Sequence, residues 1–223
     1  MGSYEDAIDT LETELKGVEE VFADLSPHHW TLPTKLVPFD AEKRHWTVFE
    51  LAGHFDISIG LTHMLIDSKQ EGQPGRDRIS FFIFPRSEVA PGVYDYAFTM
   101  VAGKTPADMP KVLRETFSKT IEGARSSSPD TIGSGYYALM RLDEFVTSRI
   151  VEAVVHGLDL TDALDRDPIA TPAGITATAQ ILDELLARRT VAGRPADLSD
   201  DWAWIWAASG RSEHPDPRLP LIG

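Results

Sequence analysis

The sequence predicts an all-α protein, and three observations support that class. Long stretches repeat apolar residues at spacings of three and four, which is the period of a helix with one buried face. Helix-start signals, in which Ser or Thr precedes such a stretch, recur along the chain. Runs that alternate apolar and polar residues, as half-buried strands do, are almost missing. Five substantial helices joined by polar segments therefore favour a helical bundle.

The first two predicted helices have the clearest boundaries. Residues 3–25 carry one apolar seam and predict the first helix. Thr47 and Glu50 form the pattern of a capping box, and the helix that follows is predicted to run to about Asp67. This second helix is apolar on two sides, so we expect it to lie between neighbours with His54 facing inward.

The middle of the chain is less regular. Residues 68–104 contain a polar loop with Gly and Pro, then the run Phe81–Phe84, which fits a short strand, a buried loop or a helical turn equally well. Thr105, followed by proline, predicts the start of a helix that reaches about Ala124.

Three further helices are predicted in the second half. A long apolar stretch predicts a helix from about Gly135 to Ala163, and Thr171 predicts the start of another that ends near residue 189. A last short helix is expected to be capped by Ser199 and ended by Gly210. We expect residues 1–223 to form a single domain, with 166–223 as a helical extension packed on the bundle.

Composition narrows the classes of function. A net charge of −14 argues against a nucleic-acid partner and against docking to anionic membranes. No apolar run approaches the length of about 20 residues that a membrane helix needs, and the N-terminus lacks the pattern of a signal peptide, so a cytoplasmic location is expected. Because the chain has no cysteine, a thiol nucleophile and cysteine-ligated metals are excluded.

The long helix of the second half carries the candidate site. Glu152 and His156 are four residues apart, so they lie one turn apart on one helical face. His54, from the inward face of the second helix, can supply a third donor. Two imidazoles and one carboxylate leave an open position on a divalent metal, which is typical of catalytic sites. The sequence therefore predicts an open metal site formed by His54, Glu152 and His156.

Two neighbours of the site are candidate catalytic residues with alternative roles. Arg149 could bind a substrate carboxylate, or it could only neutralise Glu152; without a metal, that ion pair would leave His156 as an ordinary core histidine. Asp159 could accept a hydrogen bond from the His156 imidazole and orient it, or it could only face solvent or pair along the helix.

Several segments resemble one known family. Trp46-Thr-Val-Phe-Glu-Leu-Ala-Gly-His54-Phe and Arg149-x-x-Glu152-x-x-x-His156-x-x-Asp159-Leu are similar to the second-helix and fourth-helix motifs of the mycothiol-dependent maleylpyruvate isomerase family, within the DinB/YfiT-like superfamily. Trp30-Thr-Leu-Pro-Thr and the tail, with Ser209-Gly-Arg followed by Leu219-Pro-Leu, also resemble the family, in matching order and spacing. Residues 68–104 match none of its motifs.

The resemblance implies both a fold and an activity. It implies an up-and-down four-helix bundle with a long crossover, and His54, Glu152 and His156 as ligands of a metal that is commonly zinc. It further implies mycothiol or a similar thiol as co-substrate, which would make the protein a metal-dependent transferase or isomerase acting on a small electrophile.

Two alternatives remain beside that hypothesis. The first keeps the metal but not the thiol, and gives a hydrolase or biosynthetic enzyme. The second is a ligand-binding bundle without catalysis. The tryptophan-rich tail leaves room for a homodimer.

Overall fold

The computed structural model describes residues 2–36, 38, 40 and 42–222, apart from the side chain of Arg86. Within these residues the chain is mostly helical, which confirms the predicted all-α class, with one short β-hairpin added. The elements are α1 (Tyr4–Ala23), α2 (Val48–Asp67), α3 (Arg86–Val101), α4 (Met109–Ser126), β1 (Ile132–Ser134), β2 (Leu139–Arg141), α5 (Leu142–Ala163), α6 (Pro172–Arg189) and α7 (Asp201–Ala208).

Four helices form the bundle, and their cross-contacts fix its directions. Around the ring the order is α1, α4, α2, α5, each helix packing on the next. Thr116 of α4 donates a hydrogen bond to Asp56 of α2, and Thr120 donates to the carbonyl of Ile59. The later residue of α4 contacts the later residue of α2, so the two helices are parallel.

The other neighbours settle the remaining directions. α1 and α4 are antiparallel, because Glu19 pairs with Arg114 whereas the earlier Glu12 pairs with the later Arg125. α2 and α5 are antiparallel as well, because His54 contacts His156 whereas the later Ser58 contacts the earlier Arg149. In chain order, α1, α2, α4 and α5 therefore run up, down, down and up.

A long connection joins the two parallel helices. The crossover segment, residues 68–108, contains α3, which packs along α2. The fit is close at Gly53, where a Cβ atom would lie 2.5 Å from the carbonyl oxygen of Ala97. Glycine at this position allows the two helix backbones to approach each other.

The crossover segment holds a helix that the sequence pattern did not reveal. Of the three interpretations of Phe81–Phe84, the helical turn is the closest, since Ser80–Phe82 forms a single 3-10 turn. The following α3 has Pro91 inside it, and several of its half-buried residues face the cavity described below rather than a closed core.

The predicted start of the long helix at Gly135 is wrong. β1 and β2 pair antiparallel with Gly133 opposite Met140, and Tyr136 turns between them with φ of 74°. α5 begins only at Leu142, whose N–H donates to the carbonyl of Thr131. The hairpin lies against α2, where a Cβ atom on Gly133 would meet the Leu65 carbonyl oxygen at 1.9 Å.

Most predicted caps are confirmed, and one is wrong. Thr47 and Glu50 form the capping box of α2, and the Thr171 hydroxyl accepts from the first turn of α6. At α7 the cap is Asp200 rather than Ser199, because Asp200 has extended backbone and its carboxylate accepts from the Ala203 N–H. Gly210 follows the helix with φ of 74°, as predicted for its end.

The C-terminal elements pack on the bundle from outside. α6 lies against α5 and α1, and α7 lies against α6. In the described part of the chain, none of the helices has both the length and the apolar character that crossing a membrane requires.

Candidate metal centre

The three predicted ligands come together between α2 and α5. His54 lies in α2, and Glu152 and His156 lie one turn apart in α5. The two histidine Nε2 atoms are 3.0 Å apart, and each is 3.5 Å from the same Glu152 oxygen, Oε2. These three residues could hold a metal ion. The prediction that His54, from a distant part of the chain, joins the other two is confirmed.

The triangle of donor atoms has the size that one divalent metal ion with these ligands needs. Ligands at about 2.0–2.1 Å from a tetrahedral ion lie about 3.3–3.4 Å from one another. The observed separations of 3.0, 3.5 and 3.5 Å bracket that distance. Imidazole nitrogen and carboxylate oxygen are donors that zinc accepts, and three of them leave one position vacant.

The charges of the cluster suit the same task. Burial alone would raise the pKa of Glu152, but Arg149 and the two histidines outweigh it and hold the pKa well below the usual value. Burial, together with the nearby His156, lowers the pKa of His54. The carboxylate is therefore ionised and His54 is neutral, as metal binding requires.

His156 is held in place by a chain of hydrogen bonds. Its Nδ1 lies 2.8 Å from Oδ2 of Asp159, which is itself 5% exposed. Arg211, from the segment after α7, donates to both oxygens of Asp159 at 2.9 and 2.7 Å. Asp159 thus lies where it can orient the imidazole, and the alternative in which it faces solvent is wrong.

This chain of partners also sets the pKa values. Burial would raise the pKa of Asp159, but Arg211 and His156 outweigh it and lower the pKa to about 2. For His156, burial would lower the pKa, yet the hydrogen bonds to Asp159 and Glu152 raise it overall. The carboxylate–imidazole pair stabilises Nδ1–H and leaves Nε2 directed at the metal position.

His54 is held differently. Its Nδ1 is buried, and no residue in the described part of the chain accepts or donates a hydrogen bond there. The ring instead packs against Trp46, with ring centroids 5.1 Å apart, and against the His156 ring at 4.4 Å. On its Nδ1 side this imidazole is therefore held by aromatic contact and not by a hydrogen bond, while its Nε2 lies 3.0 Å from Nε2 of His156.

Arg149 lies directly behind Glu152. Its guanidinium lies over the rings of Phe81 and Phe145 at 4.6 and 4.4 Å and is 1% exposed. It donates to the Ser58 carbonyl, and its Nη2 is 4.0 Å from Oε1 of Glu152. Of the two roles predicted for Arg149, this placement favours neutralising Glu152 over binding a substrate carboxylate.

A cavity of about 240 Å³ opens beside the cluster. The three candidate ligands form part of its wall, and apolar side chains form most of the rest. Many come from the crossover segment, namely Phe81, Phe82, Phe84, Val93, Tyr94 and Tyr96. The hairpin adds Tyr136 and Tyr137, and Trp46 completes the aromatic set.

Two parts of the site escaped the sequence analysis. Arg211 is 52 positions from Asp159, and no periodic signal joins an arginine in an irregular tail to a helix. Residues 68–104 were expected to line the mouth of the pocket, but the individual residues of the wall were not identified, because many of them lie in a segment whose helix was not predicted. Only the density of aromatic residues between 81 and 98 could have indicated it.

The chain was compared with models of protein families, with curated proteins and with solved structures, and nothing matches in any of the three. The likeness of the His54 and Glu152–His156 segments to the mycothiol-dependent family therefore stays a prediction from sequence. What the structure establishes is a helical protein whose His54, Glu152 and His156 could hold a metal ion.

Proposed function

We propose that this protein is a metal-dependent enzyme of DinB/YfiT-like architecture that joins a low-molecular-weight thiol, such as mycothiol, to a small electrophile, or isomerises that electrophile through the thiol. The observation that carries the proposal is the convergence of His54, Glu152 and His156 on one point in the wall of a cavity. Three protein ligands with an adjacent space for a substrate are the arrangement of a catalytic metal site, since structural zinc sites use four.

The residues of the chain have distinct tasks in this proposal. Glu152 supplies the negative charge, and Arg149 behind it keeps that charge tolerable in an apolar region. Asp159 fixes the tautomer and ring direction of His156. The aromatic wall excludes water from the reacting groups. A zinc ion bound here would lower the pKa of a thiol in the vacant position and so supply a thiolate near neutral pH.

Two further observations support the use of an external thiol. The chain has no cysteine of its own, so any sulfur nucleophile has to come from a co-substrate. The two ligand-bearing segments also resemble those of the mycothiol-dependent family in residue type and spacing. The long crossover segment between α2 and α4 also supports the resemblance, which implies such a connection.

An assay of thiol conjugation tests the proposal. Zinc-loaded protein would be mixed with mycothiol and 1-chloro-2,4-dinitrobenzene, in which the new C–S bond forms as chloride leaves. We expect conjugation above the uncatalysed rate, which is lost after chelation, restored by zinc, and lost in Glu152→Gln. Equal rates with and without zinc would refute it. Conversion of an ester or amide with zinc but no thiol would favour the hydrolase alternative instead.

A further inference from the structure

We propose that the hydroxyl of Ser58 donates a hydrogen bond to the ligand atom that fills the fourth position of the metal centre. Under the proposed function that atom is the sulfur of the thiol co-substrate, so the inference rests on that function for the identity of the ligand. The contact itself follows from the arrangement of α2 and α5 around the donor atoms, and it is tested with a second probe as well.

The two ligand-bearing helices form a frame with four corners. His54 and Ser58 lie one turn, about 6 Å, apart on α2, and Glu152 and His156 lie one turn apart on α5. Because the helices are antiparallel, His54 lies opposite His156, whereas Ser58 lies at the level of Glu152 and Arg149. Three corners thus carry the candidate ligands, and the fourth carries Ser58.

Ser58 belongs to the face of α2 that lines the cavity. His54, Ile57, Ser58 and Leu61 all line it, and their spacings of three and four residues place them on one stripe of the helix. A serine side chain ends one bond beyond Cβ, so it extends less far from its helix than the imidazole and carboxylate groups at the other corners. A molecule that reaches the fourth metal position from the cavity therefore passes Ser58.

The Ser58 hydroxyl is buried, and in the described part of the chain nothing bonds to it. By contrast, Thr147, Ser148 and Thr161 of α5 each donate to a backbone carbonyl three or four residues earlier. A buried hydroxyl without a partner is destabilising, which favours a partner from outside the chain. Because the hydroxyl is not engaged, it can turn between staggered positions without breaking a bond.

The backbone of Ser58 is fixed by the same arginine that neutralises Glu152. Arg149 donates from Nη1 to the Ser58 carbonyl at 2.9 Å, and its Nη2 lies 4.0 Å from Oε1 of Glu152. Its Nε and Nη2 donate to the hydroxyl of Ser148 at 3.2 and 3.0 Å. Arg149 thus holds Ser58 level with Glu152 and leaves the Ser58 hydroxyl to another partner.

A hydroxyl at this corner suits an anionic ligand atom. A thiolate sulfur keeps lone pairs when it binds a metal, and a neighbouring hydroxyl can donate to one of them. Hydrogen bonds to charged acceptors are roughly twice as strong as those between neutral groups. Since Ser58 is not one of the three candidate ligands, its loss should weaken binding of the ligand and not of the metal.

The test measures ligand binding with cobalt in place of zinc. Mycothiol and, in a separate titration, azide would be added to the full-length cobalt-loaded protein, and the change in cobalt absorption gives each dissociation constant. We expect Ser58→Ala to retain cobalt as the native protein does and to raise both dissociation constants at least about tenfold. If mycothiol binds the native protein, an unchanged constant for mycothiol in Ser58→Ala overturns the proposal; if mycothiol does not bind, azide decides in the same way.

Thr62 provides a matched control on the same helix. It lies one turn after Ser58 and is fully buried, and its hydroxyl also has no partner among the described residues, but it does not line the cavity. Thr62→Val should leave both dissociation constants unchanged. Without metal, Ser58→Ala and Thr62→Val should each melt at or above the native temperature, because each removes a buried hydroxyl that lacks a partner. A lower melting temperature in Ser58→Ala would show that the hydroxyl has a partner within the protein, and the proposal would fail.

The outcome is separable from that of the proposed function. Azide binding that weakens in Ser58→Ala, together with no binding of mycothiol to the native protein, would retain the role of Ser58 and refute the thiol chemistry. Mycothiol binding and conjugation that are equal in the native protein and Ser58→Ala would support the thiol chemistry and refute the role of Ser58.

Discussion

The two histidines of the cluster meet at 3.0 Å but belong to regions that hold them in different ways. On the α5 side, His156 is linked through Asp159 to Arg211, so hydrogen bonds run from the helix to the C-terminal tail. On the α2 side, His54 has a buried Nδ1 without a partner among the described residues, and its ring lies against Trp46. Charged hydrogen bonds hold His156, whereas packing against an aromatic ring holds His54. The two should therefore respond differently to substitution of their neighbours.

Removing the carboxylate that both histidines share should have the largest effect. We expect Glu152→Ala to reduce bound zinc from about one equivalent to below about a tenth of an equivalent, because two imidazoles alone form a weak site. His156→Ala should do the same. Metal would be measured by atomic emission on purified protein. Glu115→Ala, which removes an exposed carboxylate of α4, is the control and should retain the metal; zinc retained in Glu152→Ala would show that the metal binds elsewhere.

Cutting the hydrogen-bonded chain should weaken the His156 side. Asp159→Asn and Arg211→Ala are each expected to lower zinc affinity by about 10- to 100-fold, as losses of a partner behind a ligating histidine do. Arg211→Lys should fall between native and Arg211→Ala, since a lysine keeps the charge but not the forked geometry. Affinity would be read by competition with a chromophoric chelator. Native affinity in Asp159→Asn would mean that the chain does not position His156.

The pH dependence of the metal-free protein should separate the two histidines. The raised pKa of His156 gives stability that is present below the unfolded value of 6.5 and is lost as pH rises through the folded pKa. The lowered pKa of His54 acts oppositely, since stability is lost as pH falls below 6.5.

Denaturant midpoints measured above and below pH 6.5 would test these opposite effects of His156 and His54 on stability. In Asp159→Asn the free energy of unfolding should depend less on pH above 6.5, and in His54→Phe it should depend less on pH below 6.5. Each change should amount to about 1 kcal/mol or less. Metal binding should also weaken in acid, because a proton on His156 competes with the ion. The same pH dependence of stability in the native protein and both variants would show that these two histidines do not cause it.

Changing the ring that supports His54 should have the smallest effect. Trp46→Leu leaves an apolar side chain but removes the aromatic face, so we expect zinc affinity to fall only a few-fold. Trp202→Leu, a half-buried position on α7, is the matched control and should leave affinity unchanged. A loss in Trp46→Leu as large as that in Asp159→Asn would show that packing and hydrogen bonding orient the ligands equally.

The sequence sufficed where local patterns decide the structure. The capping box at Thr47, the two apolar stripes of α2 and the four-residue spacing of Glu152 and His156 depend on helical geometry alone, and these features of the two helices were predicted correctly. His54 was assigned by its inward face, and its meeting with the other two is a tertiary contact that the pattern could only suggest.

Other features depend on contacts that no local pattern encodes. The spacing of Leu139 and Leu142 is compatible with a helix, but Gly133 pressing on α2 and the positive φ of Tyr136 make that stretch a hairpin. The bond from Arg211 to Asp159 joins two irregularly related segments. The helix α3 went unseen because Pro91 and a polar surface obscure its period.

The parallel course of α2 and α4 has a consequence for how such a protein can change. Because both helices point the same way, the chain has to travel back along the bundle between them, and residues 68–108 make that return. This stretch lays aromatic rings over the cavity, yet it contributes none of the three groups that meet at the metal position. Replacing it with a different loop and helix of the same span would leave the three candidate ligands in place while altering which molecules the cavity accommodates, so the cavity and the ligand set can diverge independently.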